Sequence, residues 1–552
     1  MNKSIFIVIG VFIISVLLAN TFIGNPVYKS IKEEAAAYII SEQYKAAEKC
    51  YLKLLQSDSN NIEYHHQYIV NHFKIPKVER EGKSTFVTRD DLTIFYYYDR
   101  KSQLLDSIQS DIGNYGLALY YSYDDRYNTA LNHLQQVSKK TLKHYNNAMG
   151  YVYKQSHYYS YAAYYFHQEL KNKGDSAGAY NQFVDMCFET YNNERLKTFI
   201  EDSTVSKYVE FNKLRKGYYK LGNTSGYIKA LIKRFAEMIN SAGFLGALVI
   251  LIIWLYFLQQ IDVFEKTKWR YIIITCLLGM IFSFSTFIMT DFANITFQFK
   301  LGNNPLSDLL YCIFGIGGVE ELVKFIPVII MLKFSRQINE PIDYIIYASA
   351  SALGFAFIEN LLYFNDGGLS TIHGRALSAV ITHMFNSSVI AYGLVICRFR
   401  FSGDKYAYLF WAYLIAAASH GFYDYWLVSE FVLQYKIVTI VYMIFTFVVY
   451  NKLIANALNN SSYYEEEKLN KTKWLRNYLF YALSAVLLVE YLIVTFRFGP
   501  SAGNNSLFNS IISGAYLTIF ISTGLSKIKP DPGEWIPLIR FSTRIKKVQT
   551  YE

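Results

Sequence analysis

The sequence is poor in cysteine and lacks the short motifs that identify several classes of hydrolase. Its 552 residues include five cysteines, and none of them forms a Cys-x-x-Cys pair or a Cys/His zinc spacing. We therefore expect buried free thiols, and a Cys50–Cys187 disulfide is the less favoured alternative. The chain also contains no paired Ser–Lys arrangement, no Gly-x-Ser-x-Gly elbow and no His-Glu-x-x-His helix, which excludes the common serine-hydrolase and zinc-protease signatures.

The net charge does not by itself identify a partner. The formal charge is +10, which in a soluble protein would suggest nucleic acid. The Lys and Arg residues of the second half, however, fall largely in short loops between apolar runs, where membrane insertion places them. We therefore predict a lipid bilayer, and no nucleic acid, as the partner of this region.

Hydrophobic residues make up 52% of the chain and cluster after about residue 241. Runs long enough to span a bilayer are predicted at 244–261, 271–291, 309–332, 342–363, 376–397, 407–428, 433–453, 477–496 and 506–526. An earlier run, from Ile5 to about Gly24 behind Lys3, is predicted to be an uncleaved signal anchor within residues 1–28, with a cleaved signal peptide as the alternative. The sequence thus predicts an all-α protein whose membrane part is a polytopic helix bundle of ten spans.

The charges of the loops predict an orientation. Basic residues concentrate in alternate loops, namely Lys266/Lys268/Arg270, Lys333/Arg336, Arg398/Arg400/Lys405, Lys452 to Arg476 and Lys527 to Lys547. By the positive-inside rule these loops and a basic tail at 527–552 are cytoplasmic, so residues 29–240 are extracytoplasmic. We therefore expect a multi-pass protein of the cell (inner) membrane.

Residues 29–240 are predicted to be helical and carry a recurring Tyr-x-x-Ala step. The step begins at Tyr44, Tyr127 and Tyr159, and it resembles the tetratricopeptide repeat, whose period is about 34 residues. Such an array implies a concave, Tyr-lined groove for a protein or peptide, whereas a plain irregular helical domain is the alternative. The stretch from Glu81 to Arg100 breaks the pattern, and we predict a short β insertion or a loop there.

Charged residues inside the run at 309–332 are the strongest functional signal. Glu320, Glu321 and Lys324 lie where hydrocarbon is expected, and such residues are costly in a membrane and seldom lack a function. Glu320 and Lys324 are four residues apart, so they share a helix face and can pair. Glycines just before the pair leave room for a neighbouring helix or for water.

The next three predicted spans supply further polar groups. They carry Glu359-Asn360, His383 with Asn386 one turn later, and His420 with Asp424 four residues on. Under the predicted orientation Glu359, His383, His420 and Asp424 lie in the extracytoplasmic halves of their helices. We therefore expect them to converge with Glu320 on one pocket that opens outward.

Carboxylates, two imidazoles and a buried water suit general acid–base hydrolysis. A proton-coupled transporter and a non-catalytic membrane receptor scaffold are the alternatives, and the transporter would be favoured by internal symmetry, which the sequence does not show. We expect no cofactor. If a metal takes part, His383, His420 and Glu359 are the predicted zinc ligands.

Four motifs in order on consecutive spans (Glu-Glu-x-x-Lys, Phe-x-x-x-Glu-Asn, a mid-helix His and His-Gly-x-x-Asp) resemble the PrsW family of intramembrane proteases, which is related to the CAAX prenyl endopeptidases and the Abi proteins. The resemblance covers roughly 245–460, so 241–460 is the expected protease core and 461–526 adds further transmembrane helices. It implies an intramembrane endopeptidase that cuts membrane-anchored regulators such as anti-sigma factors.

The resemblance also implies roles for single residues. Glu320 would activate the water, Glu321 would support or orient it, and Glu359 would complete the carboxylate set. His420 with Asp424 would stabilise the oxyanion or the water, and His383 is a further catalytic candidate. The supporting residues are Lys324, Asn360 and Asn386.

Overall fold

The computed structural model describes residues 2–538 with the exception of 25, 42, 76–88, 240, 298, 300, 303, 336, 367, 402–403, 436 and 526–530. Over these residues every regular element is a helix, which confirms the predicted all-α class. The chain forms two compact units, one from Met1–Asn25 and Met238–Glu552 and one from Pro26–Glu237. We refer to them as the membrane unit and the helical unit.

The helical unit consists of short, consecutive helices. They are Ile31–Ile40, Tyr44–Ser57, Ile62–Lys74, Arg89–Ser102, Ser107–Tyr123, Tyr127–Gln136, Tyr145–Gln155, Tyr159–Lys171, Ser176–Glu189, Asn193–Glu201, Ser203–Ser206, Phe211–Lys220 and Thr224–Ile239. Sequential helices pack against each other, which is the local arrangement that repeat arrays use. The assignment to the tetratricopeptide class stays a prediction.

The Tyr-x-x-Ala step marks the beginning of a helix at each of its three occurrences. Tyr44, Tyr127 and Tyr159 are first residues of helices, and Ala47, Ala130 and Ala162 are completely buried. A side chain of one carbon lets the neighbouring helix approach at these positions. The Tyr-x-x-Ala step therefore indicates a helix that packs closely against its neighbour.

The stretch from Glu81 to Arg100 differs from its prediction. Residues 76–88 lie outside the described part, but Arg89–Ser102 is a helix, so a β insertion or loop is wrong there. Ile94 and Tyr98 explain the helix, since they are four residues apart and both are buried in the core of the unit. The many tyrosines of this stretch make the helical spacing of its buried residues difficult to recognise in the sequence.

All five cysteines are free, as expected, and four of them are buried. Cys50 and Cys187, the pair considered for a disulfide, lie in different core clusters of the helical unit. They are therefore packing residues.

The membrane unit is built from long helices with two π-helical turns. Its α-helices are Asn2–Phe22, Gly243–Ile261, Trp269–Thr296, Pro305–Leu310, Gly318–Phe334, Pro341–Asp366, Ile372–Gly374, Val380–Phe399, Lys405–Val428, Ile437–Asn459, Thr472–Phe498 and Pro500–Leu525. The π-helical turns are Tyr311–Gly317 and Arg375–Ala379. Short 3-10 turns occur at Leu369–Thr371, Leu433–Tyr435 and Glu466–Lys471.

Eight helices of the described chain are long and apolar enough to cross a membrane. They are Lys3–Phe22, Gly243–Ile261, Trp269–Thr296, Pro341–Asn365, Leu369–Phe399, Ile437–Asn459, Trp474–Phe498 and Pro500–Gly524. The expected spans 309–332 and 407–428 are helical but do not belong to this set. The first is divided by a π-helical turn, and its α-helical part has 17 residues; the second is rich in Tyr, Trp and polar site residues.

Four helices carry the predicted site, and we name them after their residues. They are the Glu320 helix (Gly318–Phe334), the Glu359 helix (Pro341–Asp366), the His383 helix (Val380–Phe399) and the His420 helix (Lys405–Val428). The Glu359 helix is the most deeply buried of the eight apolar helices and contacts the Glu320 and His383 helices. Ala348, Ala352 and Ala356, spaced four residues apart on the Glu359 helix, are fully buried, and small side chains of this kind let neighbouring helices approach closely.

The predicted basic tail is described only at residues 531–538. There Asn456 receives the backbone N–H of Ile536 at 2.6 Å and donates to the carbonyl of the same residue at 2.9 Å. This part of the tail is therefore held against the helix Ile437–Asn459. The rest of 527–552 lies outside the described residues.

Candidate active site

The site forms where the Glu320 helix crosses the His420 helix without intervening side chains. A Cβ atom added to Gly317 would lie 2.6 Å from the carbonyl oxygen of Ala417 and 2.9 Å from the backbone nitrogen of Gly421. Gly421 in turn faces the backbone of Ile313 in the preceding π-helical turn. The two glycines bring the backbones together, so Glu320 and Glu321 meet His420 directly.

Lys324 is the centre of the charged cluster. Its ammonium is completely buried and lies 3.1 Å from Glu320 Oε2, 2.9 Å from Glu321 Oε1 and 2.7 Å from His383 Nδ1. An ammonium has three protons, so each can be donated to one of these partners. The predicted pairing of Glu320 with Lys324 is present, and Glu321 and His383 join it.

These contacts assign the tautomer of His383. An ammonium can only donate, so Nδ1 accepts from Lys324 and the proton of a neutral ring is on Nε2. That nitrogen lies 2.7 Å from Glu359 Oε2. His383 therefore connects Lys324 to Glu359.

Glu321 fixes the tautomer of His420. Glu321 Oε1 lies 2.8 Å from His420 Nδ1, and since a carboxylate accepts, Nδ1 carries the proton. The expected partner, Asp424, lies 3.4 Å from the other nitrogen, Nε2, and Glu320 lies 3.6 Å from it. Glu321 and not Asp424 therefore sets the tautomer in this structure, because the helix crossing places Glu321 closer to the ring.

The carboxylates differ in their access to solvent. The side chain of Glu321 is completely buried, and its second oxygen accepts from Ser387 Oγ at 2.8 Å. Glu320 is 12% exposed, and Glu359 and Asp424 are each 19% exposed. Glu320 and Asp424 lie beside the imidazole of His420 and Glu359 beside that of His383, and the centroids of the two rings are 5.2 Å apart.

Arg375 is a site residue that the sequence reasoning missed. Its Nη2 lies 2.9 Å from Glu359 Oε2, and its Nε donates to Asn360 Oδ1 at 2.7 Å. Glu359 therefore has a cationic partner and does not simply face water, and Asn360 supports that partner. Arg375 directly precedes the predicted span 376–397, and an arginine at the edge of an apolar run is the signal that could have identified it.

Asn386 contacts the His420 helix and not His383. Its Oδ1 accepts from Ser419 Oγ at 2.6 Å, one residue before His420. Ser387 and Ser419 were not identified from the sequence. All six predicted catalytic residues lie in the one connected cluster, and the three supporting residues contact that cluster or an adjoining residue.

The same cluster contains a candidate metal site. Glu320, His383 and His420 each bring one potential ligand atom within 4.8 Å of the others. The sequence had suggested Glu359 with the two histidines, and in the structure Glu320 takes the place of Glu359 in this set. Two imidazoles and a carboxylate are a known set of zinc ligands. The lone pair of His383 Nδ1 receives a proton of Lys324 and its Nε2 faces Glu359, so a metal ion held by these three residues would have to displace one of those partners from His383.

Sequence comparisons place this cluster among known proteins. Residues 267–450, which contain the whole cluster, match a family described as "PrsW family intramembrane metalloprotease". The protein "Protease PrsW" of Clostridioides difficile (strain 630) is 31% identical over 196 residues, which cover 34% of this chain and 80% of that protein. No solved structure matches the chain.

Two further relatives align with a smaller part of this chain. "Protease PrsW" of Geobacillus kaustophilus (strain HTA426) is 34% identical over 113 residues, and that of Bacillus subtilis (strain 168) is 31% identical over 111 residues. In each case 20% of this chain is aligned, and the chain spans about half the length of the relative (49% and 50%).

Proposed function

The chain belongs to the PrsW family of intramembrane proteases, and on that premise we propose that it hydrolyses peptide bonds of membrane-anchored proteins with water activated by Glu320. The observation that carries this proposal is the position of Glu320. Its carboxylate contacts the ammonium of Lys324 on one side and lies 3.6 Å from His420 Nε2 on the other, and it retains exposure. Glu321 is fully buried with both oxygens occupied, so it is suited to orient His420.

The groups support a balanced hydrolysis. Glu320 takes a proton from water, and the hydroxide attacks the carbonyl carbon of the scissile peptide. Protonated His420 donates from Nε2 to the oxyanion, while Glu321 and Asp424 balance the charge of the imidazolium. When the C–N bond breaks, the proton held by Glu320 passes to the leaving amine. Positioned acid–base and oxyanion groups of this kind each contribute roughly 100-fold or more.

Replacement of Glu320 tests the assignment. We expect Glu320→Gln to abolish cleavage of a tagged single-span substrate by the purified chain, since an amide cannot accept the proton of water. Glu430→Gln, a change of the same type at an exposed position beyond the His420 helix, should cleave like the parent. Cleavage that survives Glu320→Gln removes the base assignment.

The same assay distinguishes a metal-dependent reaction. We expect a chelator to leave cleavage unchanged, because the lone pair of His383 is occupied by Lys324. Loss of cleavage with the chelator, followed by recovery with added zinc, would instead support ligation by Glu320, His383 and His420 and displacement of Lys324.

We further propose that the membrane is the inner membrane and that residues 29–240 are extracytoplasmic. The support is the alternation of basic and non-basic loops along the membrane unit. A cysteine introduced at exposed Thr198 should react with an impermeant thiol reagent in intact cells, whereas one at Ser461, between the helices that begin at Ile437 and Thr472, should react only after lysis. The reverse result would invert the topology.

We propose that the helical unit binds a protein or peptide, and that this partner is the membrane-anchored substrate. The proposed substrates are regulators similar to anti-sigma factors. The unit contains a cavity of about 350 Å³ between four of its helices, with tyrosine rings (Tyr115, Tyr123 and Tyr151) in its wall. Asn147 also lines it, and Asn147 Oδ1 is buried without a hydrogen-bond partner among the described residues. Volumes of this size hold small ligands or anchoring side chains.

A further inference from the structure

A second buried polar cluster lies in the membrane unit outside the active site. Its centre is Glu490 on the helix Thr472–Phe498, whose side chain is completely buried. Its carboxyl group receives the backbone N–H of His373 at 2.7 Å and lies 3.0 Å from His373 Nδ1. Ser506 and Ser510 donate to it at 3.0 and 2.6 Å.

The donors match the capacity of a carboxylate. Two carboxylate oxygens offer about four lone-pair sites, and four donors surround Glu490. A carboxyl group in an apolar bundle is costly, so its presence at position 490 indicates a role beyond packing. Glutamine has the same shape but would present an NH₂ group to these donors, so Glu490→Gln disturbs the contacts without a change of volume.

Glu490 binds the beginning of a helix that leads into the active site. The first turn, Ile372–Gly374, passes through the π-helical turn Arg375–Ala379 into the His383 helix. The first N–H groups of a helix have no partner within the helix, and a negative charge there is favourable. Glu490, on a neighbouring helix, supplies this first turn with a hydrogen-bond acceptor and with a negative charge. The imidazole of His373 also contacts the carboxyl group and strengthens the contact.

His373, which Glu490 contacts, lies two residues before Arg375, and Arg375 is the partner of Glu359. Arg375 lies 2.9 Å from Glu359, and Glu359 lies 2.7 Å from His383 Nε2. A shift of the first turn would therefore move the guanidinium away from Glu359. The helix that carries Glu490 begins at Thr472, beyond residue 450, where the family match ends.

We propose that Glu490 is a positioning residue for the protease site: by holding His373 it places Arg375 on Glu359 and thereby orients His383. The proposal rests on the proposed function for its effect on cleavage. The contact itself makes the helices after residue 460 part of the active-site framework. Any event that loosens them would lower the rate without a change at the catalytic groups.

A double-mutant cycle tests the route through Arg375. Because small displacements of catalytic groups reduce rates strongly, we expect Glu490→Gln to lower kcat about tenfold or more at an unchanged KM. In an Arg375→Gln background the same change should have no further effect. Ser484→Ala, on the same helix, is the control and should cleave like the parent, because the Ser484 hydroxyl donates to the carbonyl of Phe480 four residues earlier. Additive losses would overturn the proposal.

A readout besides cleavage separates this proposal from the proposed function. In isotope-labelled chains, the ring-nitrogen resonances of His383, assigned by their loss in His383→Gln, should shift alike in Glu490→Gln and Arg375→Gln. If Glu490→Gln does not fold, Ser510→Ala, which removes one donor, replaces it in both experiments. Resonances that move with Arg375→Gln alone would overturn the proposal, even if the chain cleaves nothing.

Discussion

Lys324 is the residue on which the charge balance of the active site depends. It is completely buried and contacts two carboxylates and one imidazole, so water cannot take over these contacts if Lys324 is removed. A buried ion pair adds little to stability as a whole, but removal of one member leaves an uncompensated charge. The cluster therefore tolerates paired changes better than single ones.

Lys324→Met should destabilise the membrane unit by about 3–5 kcal/mol, the usual cost of breaking a buried pair. The double variant Glu321→Gln/Lys324→Met should recover part of that loss, since it removes one of the two stranded carboxylates. Thermal unfolding of the detergent-solubilised chain measures both. Lys333→Met, at an exposed position on the same helix, should change stability by less than about 0.5 kcal/mol. A double variant less stable than Lys324→Met would contradict the charge argument.

The sequence could predict the pairs that share a helix and not those that cross between helices. Glu320 and Lys324 are four residues apart, so helix periodicity alone puts them together. The contacts of Glu321 with His420 depend on how two helices are rotated about their axes, which periodicity does not determine. Periodicity could therefore place Asp424 on the same helix face as His420, but it could not identify the contact of His420 with Glu321.

At the scale of elements, both π-helical turns lie directly before site residues. Tyr311–Gly317 precedes the Glu320 helix, and Arg375–Ala379 precedes the His383 helix. A π-helical turn holds more residues than an α-helical turn, and such turns occur often at functional sites. They are stabilised by contacts with neighbouring helices, so the sequence predicted uninterrupted spans there.

A buried ion network joins helices of the helical unit in a similar way. His144 Nε2 lies 3.0 Å from Glu63 and its Nδ1 lies 3.7 Å from Asp175, and the ring of His66 stacks on it at 3.9 Å. The neighbouring imidazole of His144 lowers the pKa of Asp175 to about 2, and hydrogen bonding to His144 lowers that of Glu63 well below its usual range. Burial lowers the pKa of His66 to about 3. Burial also opposes charge on His144, but its two carboxylates outweigh it and raise its pKa.

The stability of the helical unit should pass through a maximum near pH 6.5, the ordinary pKa of histidine. Below it, the unfolded chain binds more protons at His66, Glu63 and Asp175, so acid destabilises the fold. Above it, the folded chain holds the extra proton on His144, so stability falls as the pH rises through the raised pKa. Urea unfolding followed by tyrosine circular dichroism at a series of pH values measures the curve.

The matched variant is His144→Asn. His144 has a φ of 67°, in the left-handed region that asparagine tolerates, so the backbone is kept. The alkaline fall should disappear in this variant, because no proton is held at position 144. An alkaline fall of the same size in parent and variant would show that another group carries it.

For the whole molecule, the sequence predicted a long helical part before residue 241 and apolar spans after it, because long apolar runs are unambiguous. It could not predict the cavity of the helical unit, which residues from four helices enclose. Nor could it predict that Glu490, beyond the family core, would contact the segment before Arg375. Both depend on contacts distant in sequence, which no local pattern encodes.

If the helical unit recruits the substrate, filling its cavity should weaken binding and leave the chemistry intact. Ser122 lines the cavity, and Ser122→Phe places a ring in it. We expect KM for a full-length membrane-anchored substrate to rise about tenfold, with kcat unchanged, as for the loss of uniform binding. A substrate reduced to its transmembrane segment should be cut equally by parent and variant. Thr198→Phe, an exposed change of similar size outside the cavity wall, should affect neither substrate. Equal KM values for the full-length substrate in Ser122→Phe and the parent would place recruitment elsewhere.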